Sequence, residues 1–198
     1  RLDRVLAAGW KHIHDAVRAE RWTNEFETVN FLKRAMADEG LWTDHGPNVS
    51  AGANSADSHY EPTELRSAPI FHGDFILIDI WARLDQPGSC FYDITWTGVV
   101  DREPTPREQL IFETVRNARD ASITAVKDAF AAGTPIAGWQ ADDASRAVIR
   151  SPIFSITSLS HTGSNSISIC MPNISASAGP ARCIIVSNDD TACSTAAR

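Results

Sequence analysis

Apolar residues near the start of the chain repeat at the spacing of an α-helix. The first set predicts a helix that ends near Arg21 and comprises Leu2, Leu6, Trp10, Ile13 and Val17. Asn24 and Glu27 have the spacing of a capping box, so a second helix is predicted to follow Asn24 and to end at Gly40. Its inward positions are Val29, Leu32 and Met36.

A stronger helix start lies later in the chain. Thr105, Pro106 and Glu108 combine a side-chain cap, a proline at the first helical position and a reciprocal acidic residue. They predict a long helix that ends at Gly133, with an apolar stripe of Ile111, Val115, Ala118, Ala125 and Ala129. A short fourth helix is predicted from about residue 141 to residue 150.

Two strand-like stretches separate the second helix from the third. Residues 75–81 and 90–100 are rich in β-branched and aromatic side chains, and residues 85–88 have the composition of a turn. This pattern predicts a β-hairpin. The order helix, helix, strands, helix, helix indicates an α+β fold, in which helices cover one face of a mainly antiparallel sheet.

Two acidic residues interrupt the apolar pattern of the hairpin. A turn centred on Gln86 would place Asp79 directly opposite Asp93, and Trp81 opposite Phe91. The two carboxylates would then lie roughly 5 Å apart on one face, where like charges are destabilising unless a cation separates them. This favours a site for divalent ions such as Mn²⁺, Co²⁺ or Zn²⁺. The spacing leaves an alternative open, in which Asp79 caps backbone groups and Asp93 is an ordinary surface residue.

The composition of the chain changes abruptly near residue 150. Of 18 Lys and Arg residues and 25 Asp and Glu residues, those beyond residue 150 are Arg182, Arg198, Asp189 and Asp190. Ser, Thr, Ile, Ala and most of the cysteines fill residues 151–198 instead. A divergent domain would need charged surface residues for solubility. We therefore expect a folded part over residues 1–150 and an anomalous tail over 151–198 that is read out of frame or is disrupted in an equivalent way.

Net charge and hydropathy exclude several kinds of partner. The formal net charge is −7 and no basic patch is evident, so nucleic acid is not an expected partner. No apolar run approaches the roughly 20 residues that cross a bilayer, and the first residues lack an apolar signal stretch. We expect a cytoplasmic protein with no membrane partner, with its four cysteines as free thiols. Because the chain begins with Arg1 and not Met, we expect an excerpt from a longer protein.

Three blocks of the sequence together resemble one known family. They are Asn48-Val-Ser-Ala-Gly-Ala-Asn-Ser-Ala-Asp-Ser-His-Tyr-Glu-Pro62, Gly73-Asp-Phe-Ile-Leu-Ile-Asp79 and Tyr92-Asp-Ile-Thr-Trp-Thr97. Their order and spacing, across residues 1–150, resemble the pita-bread metallopeptidases. This is the family of methionine aminopeptidase, Xaa-Pro aminopeptidase, prolidase and creatinase. The blocks resemble Xaa-Pro aminopeptidase or prolidase more than methionine aminopeptidase. The resemblance implies an incomplete pita-bread fold.

The resemblance also implies roles for three residues. Asp79 and Asp93 would be metal ligands for two divalent ions, Mn, Co or Zn. His59 would be the catalytic histidine, which binds the peptide substrate and handles a proton near the scissile amide. An imidazole suits that role because it titrates near neutral pH.

The chain departs from the family pattern at several points. Trp96 stands where many members carry Arg. The family completes its metal site with a His in a Gly-His motif and with two later Glu residues, but no Glu follows Glu113 here and the later His161 precedes a Thr-Gly pair. A cluster with few anionic ligands binds metal weakly, so we expect weak or absent metal binding in this chain.

Two functions follow from these observations. The first is a metal-dependent aminopeptidase or dipeptidase of the Xaa-Pro type, which hydrolyses an N-terminal peptide bond with water activated by two metals, and which is inactive in this chain as given. The second is a non-catalytic pita-bread module that binds a peptide or a protein. The sequence leaves the oligomeric state open, with a homodimer as one alternative.

Overall fold

The computed structural model describes residues 1–151 and the backbone of residues 183–186. The described residues fall into two compact units, one formed by Arg1–Pro104 with the strand at residues 183–186, and one that begins at Thr105. Apart from Ser151 and that strand, the predicted tail over residues 151–198 lies outside the described residues. The predicted break at residue 150 therefore stays a prediction.

Two helices open the first unit. Helix α1 covers Leu2–Arg18 and buries the predicted positions Leu2, Leu6, Trp10 and Ile13, while Val17 is partly buried. Helix α2 covers Glu25–Asp38, and the Asn24 side chain accepts a hydrogen bond of 2.7 Å from the Glu27 backbone N–H, as the capping pattern predicts. The close approach of the two helices depends on Gly9, because a Cβ there would lie 2.6 Å from Cδ2 of Leu32.

A five-stranded sheet is built around one long central strand. This strand, β3, covers Phe75–Leu84 and pairs on one side with β4 (Tyr92–Val100). Its other side pairs with two short strands, β1 (Leu41–Trp42) and β2 (Asn48–Ala51), all in the antiparallel sense. Strand β5 (Cys183–Val186) adds to β4 in the parallel sense. The predicted α+β fold with a mainly antiparallel sheet is thus confirmed, with one parallel pair.

The two faces of the sheet have different chemistry. Alternate side chains of each strand point to opposite faces. One face joins α1 and α2 in the hydrophobic core, through Val49, Ile76, Ile78, Ile80, Trp96 and Val100. Full burial of an Ile or Val side chain stabilises a fold by about 1.5–3 kcal/mol, so this face fixes how the sheet sits on the helices. Polar side chains of the same strands, including Asp79 and Asp93, point to the opposite face.

A tight turn joins β3 to β4. Pro87 and Gly88 occupy its centre, and the Ser89 N–H donates to the Gln86 carbonyl at 3.3 Å. Gly88 has a φ of +79°, the positive value that the third residue of a type II turn requires and that glycine adopts without strain. The turn is therefore centred one position later than the sequence pattern predicted.

The position of this turn corrects the predicted register of the hairpin. Asp79 pairs with Thr95 and Trp81 pairs with Asp93, so the predicted pairs Asp79–Asp93 and Trp81–Phe91 are wrong. The register differs from the predicted one by two residues. Since side chains alternate with a period of two, Asp79 and Asp93 nevertheless lie on the same face, as diagonal neighbours across the two strands.

The described part of the second unit, up to Ser151, contains two packed helices. Helix α3 covers Pro106–Ala131 and begins with the predicted capping box, in which the Thr105 N–H donates to Glu108 Oε2 at 2.7 Å and the Glu108 N–H donates to Thr105 Oγ1 at 3.3 Å. Of the predicted stripe, Ala118 is buried, whereas Ile111 is exposed.

Helix α4 begins earlier than the sequence predicted. It covers Gly138–Ile149, and the Ala137 N–H is satisfied by Gln140 Oε1 at 2.8 Å. A glutamine three residues into a helix can close its first turn in this way.

No helix in the described part of the chain is long and apolar enough to cross a membrane.

Candidate metal centre

Asp79 lies at the middle of β3, between a residue of β2 and a residue of β4. Its cross-strand partners are Asn48 on β2 and Thr95 on β4. Thr95 Oγ1 donates a hydrogen bond of 2.6 Å to Asp79 Oδ1, and Ser50 Oγ donates one of 2.6 Å to Asn48 Oδ1. A row of polar groups thus crosses three strands, and Thr95 fixes one oxygen of the Asp79 carboxylate.

The surroundings of Asp79 make its negative charge costly. Burial raises the pKa of Asp79 above its ordinary value, the hydrogen bond from Thr95 works in the opposite direction, and the charge of Asp93 raises the pKa further. A nearby cation would counter both effects that raise this pKa. Its positive charge would offset the cost of burying the carboxylate and the repulsion from Asp93.

Asp93 is partly buried near the start of β4, opposite Trp81. Trp81 is itself held in place, since its Nε1–H donates to Asp44 Oδ1 at 2.8 Å. The Trp81 ring also lies 6.4 Å from the ring of His45. The Trp81 indole, oriented by Asp44, is therefore the cross-strand neighbour of Asp93 on the same face of the sheet.

The tryptophan that departs from the family pattern lies elsewhere. Trp96 follows Thr95 on β4, so its side chain points to the opposite face, where it is buried in the hydrophobic core. Trp96 therefore adds to the packing between helices and sheet and does not line the face of Asp79 and Asp93.

His59 lies in the loop between β2 and β3, just after a short 3₁₀ helix at Gly52–Ala56. The residue is exposed, and its backbone N–H donates to Asp57 Oδ1 at 3.0 Å. Within residues 1–151, no three His, Cys, Asp or Glu side chains lie close enough together to hold an ion. The structure thus brings Asp79 and Asp93 to one face but does not gather them with His59 into a ligand cluster.

The residues on this face suit part of a metal site. Carboxylate oxygens are preferred ligands of hard and borderline divalent cations, and Asp79 would be relieved by one. Two carboxylates are, however, fewer ligands than a pair of ions needs to replace its hydration shell. The described part of the chain therefore fits such a site only in part: it offers two ligands, and a complete site would need others.

The sequence analysis missed one buried acidic residue, Glu25. It is the first residue of α2 and is fully buried. An acidic residue in the first turn of a helix is usually solvent-exposed and favoured by the helix dipole, so nothing in its position signals burial. Among the described residues, the hydrogen-bond partners of its carboxylate all lie far away in sequence, in residues 51–68.

Comparison with known proteins places these features in a family. The sequence profile of metallopeptidase family M24 matches residues 2–180, which extends beyond the composition break near residue 150. A Mycoplasma pneumoniae protein described as an Xaa-Pro aminopeptidase is 26% identical over 169 residues, a match that covers 82% of this chain and 45% of that protein.

Two solved structures are also similar. Dipeptidase PepE from Mycobacterium ulcerans matches with a TM-score of 0.53 and 23% identity, over 72% of this chain and 36% of that one. X-prolyl aminopeptidase from Caenorhabditis elegans, described as a cytosolic enzyme with a di-nuclear active site, matches with a TM-score of 0.49 and 16% identity, over 62% of this chain and 19% of that one. The chain thus spans less than half the length of these relatives.

The predicted pita-bread fold is confirmed as a partial one, since the helices and antiparallel sheet of the chain match part of such enzymes. The profile match covers most of the chain and includes all three sequence blocks that carry His59, Asp79 and Asp93. The chain belongs to metallopeptidase family M24.

Proposed function

We propose that the chain carries one side of a two-metal site that hydrolyses the N-terminal peptide bond of Xaa-Pro peptides. The observation that carries the proposal is the placement of Asp79 and Asp93 on one face of the β3–β4 pair, with Thr95 fixing Asp79. A half-buried pair of carboxylates in a metallopeptidase family is best explained by a cation that both residues attract.

In this proposal Asp79 and Asp93 hold divalent ions, Mn, Co or Zn. When bound, such ions supply a water molecule of lowered pKa and polarise the carbonyl of the scissile bond. Thr95 keeps the Asp79 oxygens oriented, and the partly buried position of Asp79 limits competition from bulk water.

His59 contacts the substrate in this proposal. Its exposed imidazole is open to a peptide from solvent, and an imidazole is the side chain that most often serves as a general acid or base. The Xaa-Pro substrate class is supported by the description of the M. pneumoniae relative.

The chain as given should have little activity. The described part of the proposed site offers two carboxylates, Asp79 and Asp93, and the sequence has no Glu beyond Glu113 to extend the set. The same observation favours a second candidate, in which this chain is a non-catalytic module that binds a peptide on the face of Asp79 and Asp93. The two candidates differ in whether bound peptide is cleaved.

Calorimetric titration with Mn²⁺ tests the metal site. The chain should bind Mn²⁺ weakly, and Asp79→Asn and Asp93→Asn should each abolish the binding. Asp85→Asn is the matched control, because Asp85 is an exposed carboxylate just after β3 on the same hairpin and should bind as the unmodified chain does. Equal binding by all four proteins would refute the site.

Peptide assays separate the two candidates. The chain is incubated with Ala-Pro and Ala-Pro-Ala in the presence of Mn²⁺ or Co²⁺, and both hydrolysis and binding are measured. We expect little or no turnover. Robust hydrolysis that is lost in Asp93→Asn would contradict the expected inactivity and would exclude the non-catalytic candidate, whereas binding without cleavage would favour it.

A further inference from the structure

The carboxylate of Glu25 is the centre of a hydrogen-bond network that no catalytic role explains. Its Oε1 accepts from the Ala51 N–H at 2.7 Å and from Asn54 Nδ2 at 2.9 Å. Its Oε2 accepts from the Ala68 N–H at 2.7 Å and from the Tyr60 hydroxyl at 2.5 Å. A carboxylate is an acceptor with about four lone-pair sites, so these four donors use its whole capacity.

All four donors belong to one segment, residues 51–68, which we call the 51–68 loop. It begins at the last residue of β2, passes through the 3₁₀ helix and ends before β3. Its two ends, Ala51 and Ala68, and two interior residues, Asn54 and Tyr60, converge on the same side chain. Glu25 is thus a clamp that closes the loop on itself and on the start of α2.

A buried carboxylate is costly unless its hydrogen bonds are made. Among the described residues, no Lys or Arg forms an ion pair with Glu25. Its compensation comes from the four donors and from its position in the first turn of α2, where the helix dipole favours a negative group. Because these four donors all belong to the 51–68 loop, loss of any one of the bonds should destabilise the conformation of the loop.

The clamp reaches His59 through the next residue. Tyr60 is 2% exposed, and its backbone N–H donates to the Asp57 carbonyl at 3.1 Å. Asp57 also accepts from the His59 N–H. The Arg66 guanidinium lies 5.1 Å from the centre of the Tyr60 ring and 3.9 Å from Asp57. The backbone at His59 is consequently held on both sides, although its own side chain is exposed.

We infer that Glu25 is the positioning residue for His59, acting through Tyr60 and the 51–68 loop without touching the substrate. The role of His59 in this inference rests on the proposed function. The clamp itself rests on the hydrogen bonds alone, so the two can fail separately.

Amide hydrogen exchange on the full chain tests the clamp. In Glu25→Gln, the amide nitrogen of Gln faces at least one N–H donor, so the loop loses acceptor capacity. Exchange in residues 52–67 should become about tenfold faster, as expected for one lost charged hydrogen bond, while exchange in the buried part of α1 should hardly change. Glu27→Gln is the matched control, because Glu27 is exposed in the same first turn of α2 and should leave the loop unchanged.

Tyr60→Phe gives a second test that keeps the buried ring and removes only the hydroxyl. It should speed exchange around residues 58–62 without loss of the fold. Unchanged loop exchange in folded Glu25→Gln or in Tyr60→Phe would overturn the clamp. An equal increase in the loop and in α1 would also overturn it, because Glu25 would then stabilise the whole unit and not the loop.

The effect on His59 is read from its imidazole resonances by NMR. Glu25→Gln and Tyr60→Phe should shift and broaden them, whereas Glu27→Gln should not, and unaltered resonances would overturn the positioning of His59. Binding of Ala-Pro to His59→Asn then tests the proposed function by itself. If the loop loosens in Glu25→Gln but His59→Asn binds the dipeptide normally, the clamp stands and the substrate role of His59 fails.

Discussion

Thr95 donates a hydrogen bond of 2.6 Å to Asp79 across the β3–β4 pair, and this bond opposes the effect of burial on the carboxylate. Thr95→Val keeps the shape of the side chain and removes the donor. Because partners of this kind orient metal ligands, the substitution should weaken Mn²⁺ binding by about tenfold. Calorimetric titration measures it. Thr97→Val, on the same strand and the same face, is the control, and a similar loss in both variants would contradict a specific role for Thr95.

Gly9→Ala should destabilise the first unit. The new Cβ would lie 2.6 Å from Cδ2 of the fully buried Leu32, and overpacking of this kind costs about 1–3 kcal/mol. The gain in helix propensity from Gly to Ala is about 1 kcal/mol, so the clash should dominate. Urea unfolding measures the difference. Gly138→Ala in α4, where a Cβ would meet nothing within 4 Å, should be neutral or slightly stabilising.

Tyr60 should make the fold sensitive to alkaline pH. Burial, followed by the hydrogen bond to Glu25, raises the pKa of Tyr60 to about 12. In the unfolded chain a tyrosine has a pKa of about 10. Since the folded pKa is the higher one, the contribution of Tyr60 to stability is complete below about pH 10 and is lost as the pH rises towards about 12. Urea unfolding between these values should show a decline that is shallower in Tyr60→Phe, and parallel curves would exclude this cause.

The DNA that encodes the tail provides a further test. If residues 151–198 are read out of frame, translation in another frame should restore a Gly-His motif and later Glu residues. The family profile, which matches as far as residue 180, should then match further along the restored sequence. The absence of a Gly-His motif and later Glu residues from every frame would contradict the out-of-frame tail.

Local signals in the sequence were enough to place most helix ends. Asn24 and Thr105 cap their helices as predicted, because a capping bond joins groups only three residues apart. The register of the hairpin was wrong because it depends on which residues occupy the turn, and Pro87 and Gly88 move the centre by one position.

The clamp at Glu25 could not be predicted from local pattern. Its donors lie between 26 and 43 residues away, and two of them are backbone N–H groups, which have no sequence signature. The proposed metal-ligand pair was easier to predict, because two carboxylates in an apolar hairpin conflict with burial and therefore stand out in the sequence. The prediction that Asp79 and Asp93 share a face was correct despite the wrong register. The register error was two residues, and side chains alternate with a period of two.

That even-numbered difference has a consequence for how faithfully the hairpin folds. A slip of one residue between β3 and β4 would turn isoleucines to the wrong face and would be rejected by the core. A slip of two residues leaves the same side chains in the core, so hydrophobic burial alone discriminates poorly against it. The rejection of that misregistered hairpin falls to the Pro87-Gly88 turn and to the repulsion of Asp79 and Asp93, which the slip would place face to face. The two carboxylates that are proposed to bind a cation would thus also disfavour the misregistered hairpin when no cation is bound.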